Sequence, residues 1–230
     1  MARLYTLSIR AIGPRMQALS EQTVTRSRKL SKQMPKLVDA EERRSHISGI
    51  VFDILADKGI EGVTIRDVAR ASGFSKGVMD YYFESKEELL FAALSFAKQQ
   101  YIRREERRVA GKSGLNALSE RISCGLPVDK ISRNEWRVRL AFWNCAFYNQ
   151  RLHKLQKGAL IRTRAHYMRD IQQAQSDGDI DKSADPELLA NGVTYMVIGL
   201  SISAIRDRRY YSKNKILSEA HAHIDYLKQL

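Results

Sequence analysis

The run TIRDVARASGFSKGVMDYYFESK, residues 64–86, leaves this part of the chain few ways to fold. The Thr64 hydroxyl can accept one of the backbone N–H groups that a helix start leaves without a partner. Ile65, Val68 and Ala69 then recur at helical spacing and give that helix one apolar face. Gly73 follows the last periodic residue and can take the left-handed conformation that stops a helix. Ser75 caps a second helix, with Val78 and Tyr82 predicted as its inward face. Two short helices across a tight Gly-containing turn form the helix-turn-helix pattern, whose second helix enters the major groove of DNA.

The flanks sharpen the reading. A generic helical hairpin has no need for the Tyr81-Tyr82-Phe83 cluster and Lys86 just beyond its second helix. On Gly59, Gly62, Thr64, Ile65, Val68, Ala69, Gly73, Phe74, Ser75, Gly77, Tyr81, Tyr82, Phe83, Lys86 and Leu89 the segment resembles the DNA-binding domain of TetR-family bacterial transcriptional regulators. The resemblance implies an all-α fold: an N-terminal three-helix helix-turn-helix domain, then a larger C-terminal helical bundle, in a two-fold homodimer. It also implies residue roles. Thr64 and Arg66 would meet phosphates, and Lys76, beside Ser75 and Gly77 at the start of the second helix, could donate to guanine O6 and N7. Gly77 would permit close backbone approach. Tyr81 and Tyr82 would touch phosphate or thymine methyls, although Tyr82 also suits the core. Lys86 would hold a phosphate, and Arg43 and Arg44 lie at another helix start where phosphates can be met. Asp80 departs from the family, which more often has an aromatic residue there; it either accepts from cytosine N4 or turns away.

A formal net charge of +13 over 230 residues suggests a polyanionic partner. Its distribution weakens that argument. Residues 1–33 carry +6, residues 36–83 carry −1, and residues 84–230 carry +8. DNA binding by the proposed motif must therefore rest on where a few groups sit.

Three segments are expected: a basic extension over 1–35, the helix-turn-helix domain over 36–84, and a ligand-binding and dimerisation domain over 85–230. Arg10 and Arg15 interrupt the most apolar part of the extension, so it lacks the core of a secretory signal. Its Arg and Ser content resembles a transit peptide, for which a bacterial regulator has no use. It reads either as a basic arm or as sequence upstream of a natural start near Met34, and a segment without a required role is favoured. Cys124 and Cys145 are the only cysteines and do not make a disulfide framework.

From Ala40 onward the chain reads as almost entirely helical, with helices predicted over about 40–58, 85–109, 115–125, 131–149, 150–176, 186–208 and 213–229 around the two of the motif. Leu188 to Ile205 is nearly apolar over eighteen residues. A membrane span is rejected because Asn191, Thr194, Ser201 and Ser203 interrupt it and charges bracket it. It reads as buried within one subunit and against another. One short recognition helix covers too few base pairs for a genome, so a two-fold dimer reading a palindrome is expected. The resemblance puts its interface on the last two helices, with Val193, Val197, Leu200, Ala204, Ile216, Ala220, Ile224 and Leu227 as candidates.

The sensor should lie in the middle. Trp136, Phe142, Trp143, Phe147 and Tyr148 crowd one predicted helix, and with Tyr101 and Tyr195 they are the pocket candidates. This region looks like the BetI-like subgroup, whose characterised members answer to choline-type cations, and an aromatic cage would suit a quaternary ammonium. Aromatic residues at helical spacing also fill cores, and Arg137 and Arg139 would repel a cation if they pointed inward. The effector stays unidentified.

No P-loop or HExxH is present, and no cofactor or metal is expected. His221 and His223, two apart, point to different sides of a helix. The reading is a cytoplasmic regulator, of repressor type, that binds double-stranded operator DNA as a homodimer and is released by a small molecule. An architectural DNA-binding protein and a DNA-processing enzyme are the alternatives. Deleting residues 2–33 should leave operator affinity within a few-fold at fixed salt in a titration; a loss of about a hundredfold would give the extension a phosphate-binding role.

Overall fold

The computed structural model describes residues 40–229, and among them no strand occurs. The chain divides into two units, Met1–His46 and Ile47–Leu230. Of the first, residues 40–46 are described and are helical. The extension over 1–35 lies outside the described residues.

The second unit opens with helical residues 47–58, here α1. Then come α2 (Ile65–Ser72), α3 (Lys76–Tyr82), α4 (Lys86–Val109), α5 (Gly114–Gly125), α6 (Lys130–Ala146), α7 (Gln150–Asp177), α8 (Pro186–Arg206) and α9 (Lys213–Leu227). The starts follow from side chains that satisfy orphan amides. Thr64 accepts from the Asp67 amide at 3.1 Å, Ser75 from Val78 at 3.3 Å and Ser85 from Glu88 at 3.1 Å. Glu88 reaches back one residue further than a simple capping box and takes the Glu84 amide at 2.8 Å. Gly73 and Gly178 close α2 and α7 at φ 72° and 86°, where a side chain would be strained.

Two apolar clusters hold the unit. The first joins α1 to α4 through Ile47, Val51, Leu55, Val68, Met79, Phe83, Leu89 and Ala93, and it takes in Val138, Phe142 and Ala146 of α6 and Leu152 of α7. The boundary expected at residue 84 is therefore no gap: the helix-turn-helix packs on later helices in one unit, and Arg137 of α6 donates to the Ala56 carbonyl at 3.3 Å. On α3 the inward residue is Met79, 1% exposed, while Val78 and Tyr82 are only half-buried. The predicted inward pair thus flanks the true one.

The second cluster joins α5 to α9 and takes in the eight residues expected at the dimer interface. Val193, Val197, Leu200, Ala204, Ile216, Ala220, Ile224 and Leu227 are all buried in this single-chain core. An apolar stripe satisfies its own chain first, so these eight are not free for a partner. The same packing accounts for one side of α8. It is long and apolar enough to cross a membrane, yet its Ala190, Val193, Val197, Leu200 and Ala204 side lies in the core.

A buried ionic group spans the helices. Arg121 of α5, 4% exposed, donates from Nε to Asp170 of α7 at 2.6 Å and lies 3.2 Å from Glu105 of α4. Burial works against the Arg121 charge, but Asp170 and Glu105 outweigh it and hold the guanidinium protonated. Arg104 of α4 grips both oxygens of Glu135 of α6, each at 2.6 Å. Removing one member leaves a buried charge unpaired. Arg121→Met should lower unfolding free energy by about 3–5 kcal/mol in urea denaturation followed by circular dichroism; a loss below about 1 kcal/mol would contradict this.

Candidate nucleic-acid interface and ligand pocket

Pinned inward by Met79, α3 turns Lys76, Gly77, Asp80 and Tyr81 outward, and Tyr81 is 80% exposed. Lys76 and Asp80 make no ion pair or hydrogen bond among the described residues. A methyl group at Gly77 would come no nearer than 3.9 Å to another side chain, so the fold itself does not require glycine there. Tyr82 packs against the apolar cluster and meets Tyr81 edge to face at 5.0 Å. Arg66 is exposed on the first turn of α2, and Lys86 opens α4 half-exposed. Thr64 is less available: its hydroxyl donates to Asp67 Oδ2 at 2.7 Å while accepting the Asp67 amide. That contact, with the Arg70 guanidinium beside it, holds the Asp67 carboxyl below its ordinary range. Ser75 likewise spends its oxygen on the cap. Arg43 and Arg44 fall in the other unit and are helical.

A cavity of about 630 Å³ lies among α4, α5, α6, α7 and α8. Tyr101, Trp136 and Trp143 line it, as the aromatic crowding predicts. The indoles meet edge to face at 6.0 Å, and Trp136 Nε1 donates to the Gly125 carbonyl at 2.7 Å. Burial pushes the Tyr101 and Tyr167 phenols up, so both stay neutral donors. Four expected residues lie elsewhere. Phe142 is buried in the other apolar cluster, with Ala146 and Leu152. Phe147 and Tyr148 are 83% and 90% exposed, because α6 ends at Ala146. Tyr195, 69% exposed, sits on the outer face of α8.

Of the two arginines whose direction the sequence left open, Arg139 points into the pocket. The spacing 136, 139, 143 puts it on the same α6 face as the two tryptophans. Its guanidinium lies 4.4 Å over the Trp136 ring and 5.9 Å from that of Tyr101. The aromatic face that a quaternary ammonium would use is thus covered by a cation of the protein. Glu105, Tyr167 and Arg121 also line the cavity and carried no local signal. Cys124 is buried with its thiol pushed up by desolvation, as suits a small core residue. No group of metal-ligating side chains occurs among the described residues.

Known proteins share both the fold and the sequence pattern. Residues 52–93 match the family described as bacterial regulatory proteins, tetR family, and residues 117–228 match the BetI-type transcriptional repressor C-terminal domain. The HTH-type transcriptional regulator PksA of Bacillus subtilis (strain 168) is 25% identical over 84% of this chain and 93% of its own length. The HTH-type transcriptional regulator BetI of Burkholderia ambifaria (strain MC40-6) is 24% identical over 84% of this chain and 98% of its own. Among solved structures, a transcriptional-regulator candidate from Saccharomonospora viridis in complex with choline superposes with a TM-score of 0.76 at 24% identity, covering 81% of this chain and 97% of that one. A transcriptional regulator from Rhodococcus sp. Rha1 gives a TM-score of 0.70 at 24% identity, over 81% and 96%. With the motif at one end and the BetI-type domain at the other, the chain belongs to the TetR family of transcriptional regulators, which are DNA-binding proteins and not enzymes.

Proposed function

We propose that this regulator is a cytoplasmic repressor that binds a two-fold operator as a homodimer and leaves it when a small molecule fills the cavity. The observation that carries the DNA reading is the outward face of α3, where Lys76, Asp80 and Tyr81 have no ionic or hydrogen-bond duty among the described residues and Gly77 has no packing reason among them to be glycine. Lys76 is the candidate for guanine, Tyr81 for a phosphate or thymine methyl, and Lys86 and Arg66 for phosphates. Thr64 and Ser75 contribute as caps that aim the two helices.

A second copy is the proposed occupant of the outer face of α8 and α9. Leu188, Tyr195 and Tyr226 are exposed there, and an added methyl at Gly192 or Gly199 would meet nothing within 4 Å. His223 Nε2 is buried beside this face without a hydrogen-bond partner, a want that a neighbouring subunit could satisfy. These residues replace the eight inward ones as the interface.

The cavity volume falls within the range of small-molecule sites. The coupling proposed is movement of α4, which lines the cavity and begins at Lys86 beside the motif. An effector acts only through unequal affinity for the two arrangements. The choline held by the Saccharomonospora viridis protein is not carried over, since Arg139 covers Trp136 here.

Lys86→Ala should weaken operator binding equally for all sequences and lower the salt slope by about one unit, read by titration at several salt concentrations; altered sequence preference would contradict a phosphate role. Asp80→Ala should relax preference at one cytosine-bearing position by about 1–3 kcal/mol, while an equal gain for every sequence would sink base readout. Tyr195→Glu should give a folded monomer in sedimentation; an unchanged dimer would move the interface elsewhere.

A further inference from the structure

The charges inside the cavity are not evenly matched. Its two buried carboxylates are already committed: Glu135 to Arg104 at 2.6 Å, and Glu105 to Arg121 at 3.2 Å. Among the described residues Arg139 has no carboxylate within ion-pair distance and lies over the faces of Trp136 and Tyr101. Around the mouth, Lys98, Lys154 and Arg162 are exposed without an ionic partner among the described residues, against Glu106 as the one acid of the lining unpaired among them. An isolated cation entering here would find no free buried negative charge.

Two neutral phenols face the same space, of which Tyr101 already donates to Glu105 Oε1 at 3.4 Å. Tyr167 is 1% exposed, lines the cavity, and has no hydrogen-bond partner for its hydroxyl among the described residues. A methyl built at Gly125 would sit 3.6 Å from the Tyr167 oxygen and 4.0 Å from that of Tyr101, so both hydroxyls flank one point. The Tyr167 hydroxyl opens on the cavity, where a ligand acceptor can take its proton in a hydrogen bond. The rest of the wall includes Leu94, Val138, Trp143, Val197 and Ile198. At the space one water takes in the liquid, about 30 Å³, the 630 Å³ cavity accommodates roughly twenty non-hydrogen atoms, far more than a headgroup alone.

We propose that the effector is an amphipathic anion: an aliphatic or aromatic body against the apolar wall, with a carboxylate or similar acid held by Arg139 and the Tyr167 hydroxyl. This rests on the reading of the cavity as the effector site. A charge-assisted bond in a site shielded from water supplies the discrimination between anion and cation.

Trp136 and Trp143, the only tryptophans of the chain, both line the cavity, so intrinsic fluorescence reports occupation of this site alone. The full-length protein is titrated with decanoate, decanol and decyltrimethylammonium, which share one tail and differ in head. Decanoate should bind at least about tenfold more tightly than decyltrimethylammonium, in line with a charge-assisted bond of 1.5–3 kcal/mol. Arg139→Gln should bring decanoate down to the level of decanol, and Arg139→Lys should keep part of the preference. Tighter binding of the ammonium, or a decanoate affinity unchanged in Arg139→Gln, overturns the anion assignment while the pocket stands. Tryptophan fluorescence that responds to none of the three overturns the pocket reading and the assignment together.

Discussion

The guanidinium of Arg121, held between Glu105 of α4 and Asp170 of α7, is the contact on which the arrangement turns. With Arg104 and Glu135 it ties the C-terminal half of α4 to α5, α6 and α7. The other half of α4 gives Leu89, Ala93 and Ala97 to the cluster that carries the helix-turn-helix. One helix thus belongs to both cores. Buried ion pairs are poor sources of net stability but costly to break singly, so they favour one register of α4 over its neighbours. That is the property required of an element whose displacement carries a signal.

The DNA-facing end uses few groups. Residues 36–83 are close to electrically neutral, and the chain's positive charge lies mainly outside them. Nonspecific attraction to the phosphate backbone is accordingly weak at the motif, and under the proposed function discrimination rests on Lys76, Asp80 and Tyr81 and on their duplication by a second copy. In that proposal, small changes in the separation of the two reading heads are enough to alter binding.

Local physics was legible in the sequence where it involves near neighbours. The caps at Thr64, Ser75 and Ser85, the stop at Gly73 and the full course of α4 follow from residues within four positions of one another. The inward residue of α3 was not, because Val78, Met79 and Tyr82 are all apolar enough and only packing chooses Met79. On α8 and α9 periodicity revealed an apolar stripe but not which body it packs against, and the chain's own core took it. In the pocket, Trp136 and Trp143 were legible as aromatics, whereas Phe147 and Tyr148 fell outside once α6 stopped at Ala146. The ion pairs Arg104 with Glu135 and Arg121 with Asp170 join residues 31 and 49 apart, and no local pattern announces such partners.

The central claim is that filling the cavity shifts α4 and so changes operator binding. Its most direct test is the affinity of the tightest-binding decyl probe for the protein alone and for the protein saturated with operator DNA, measured by tryptophan fluorescence. The account predicts affinities that differ by about fivefold or more, with operator affinity changed by the same factor when the probe is saturating. Equal probe affinities in the two states would contradict it.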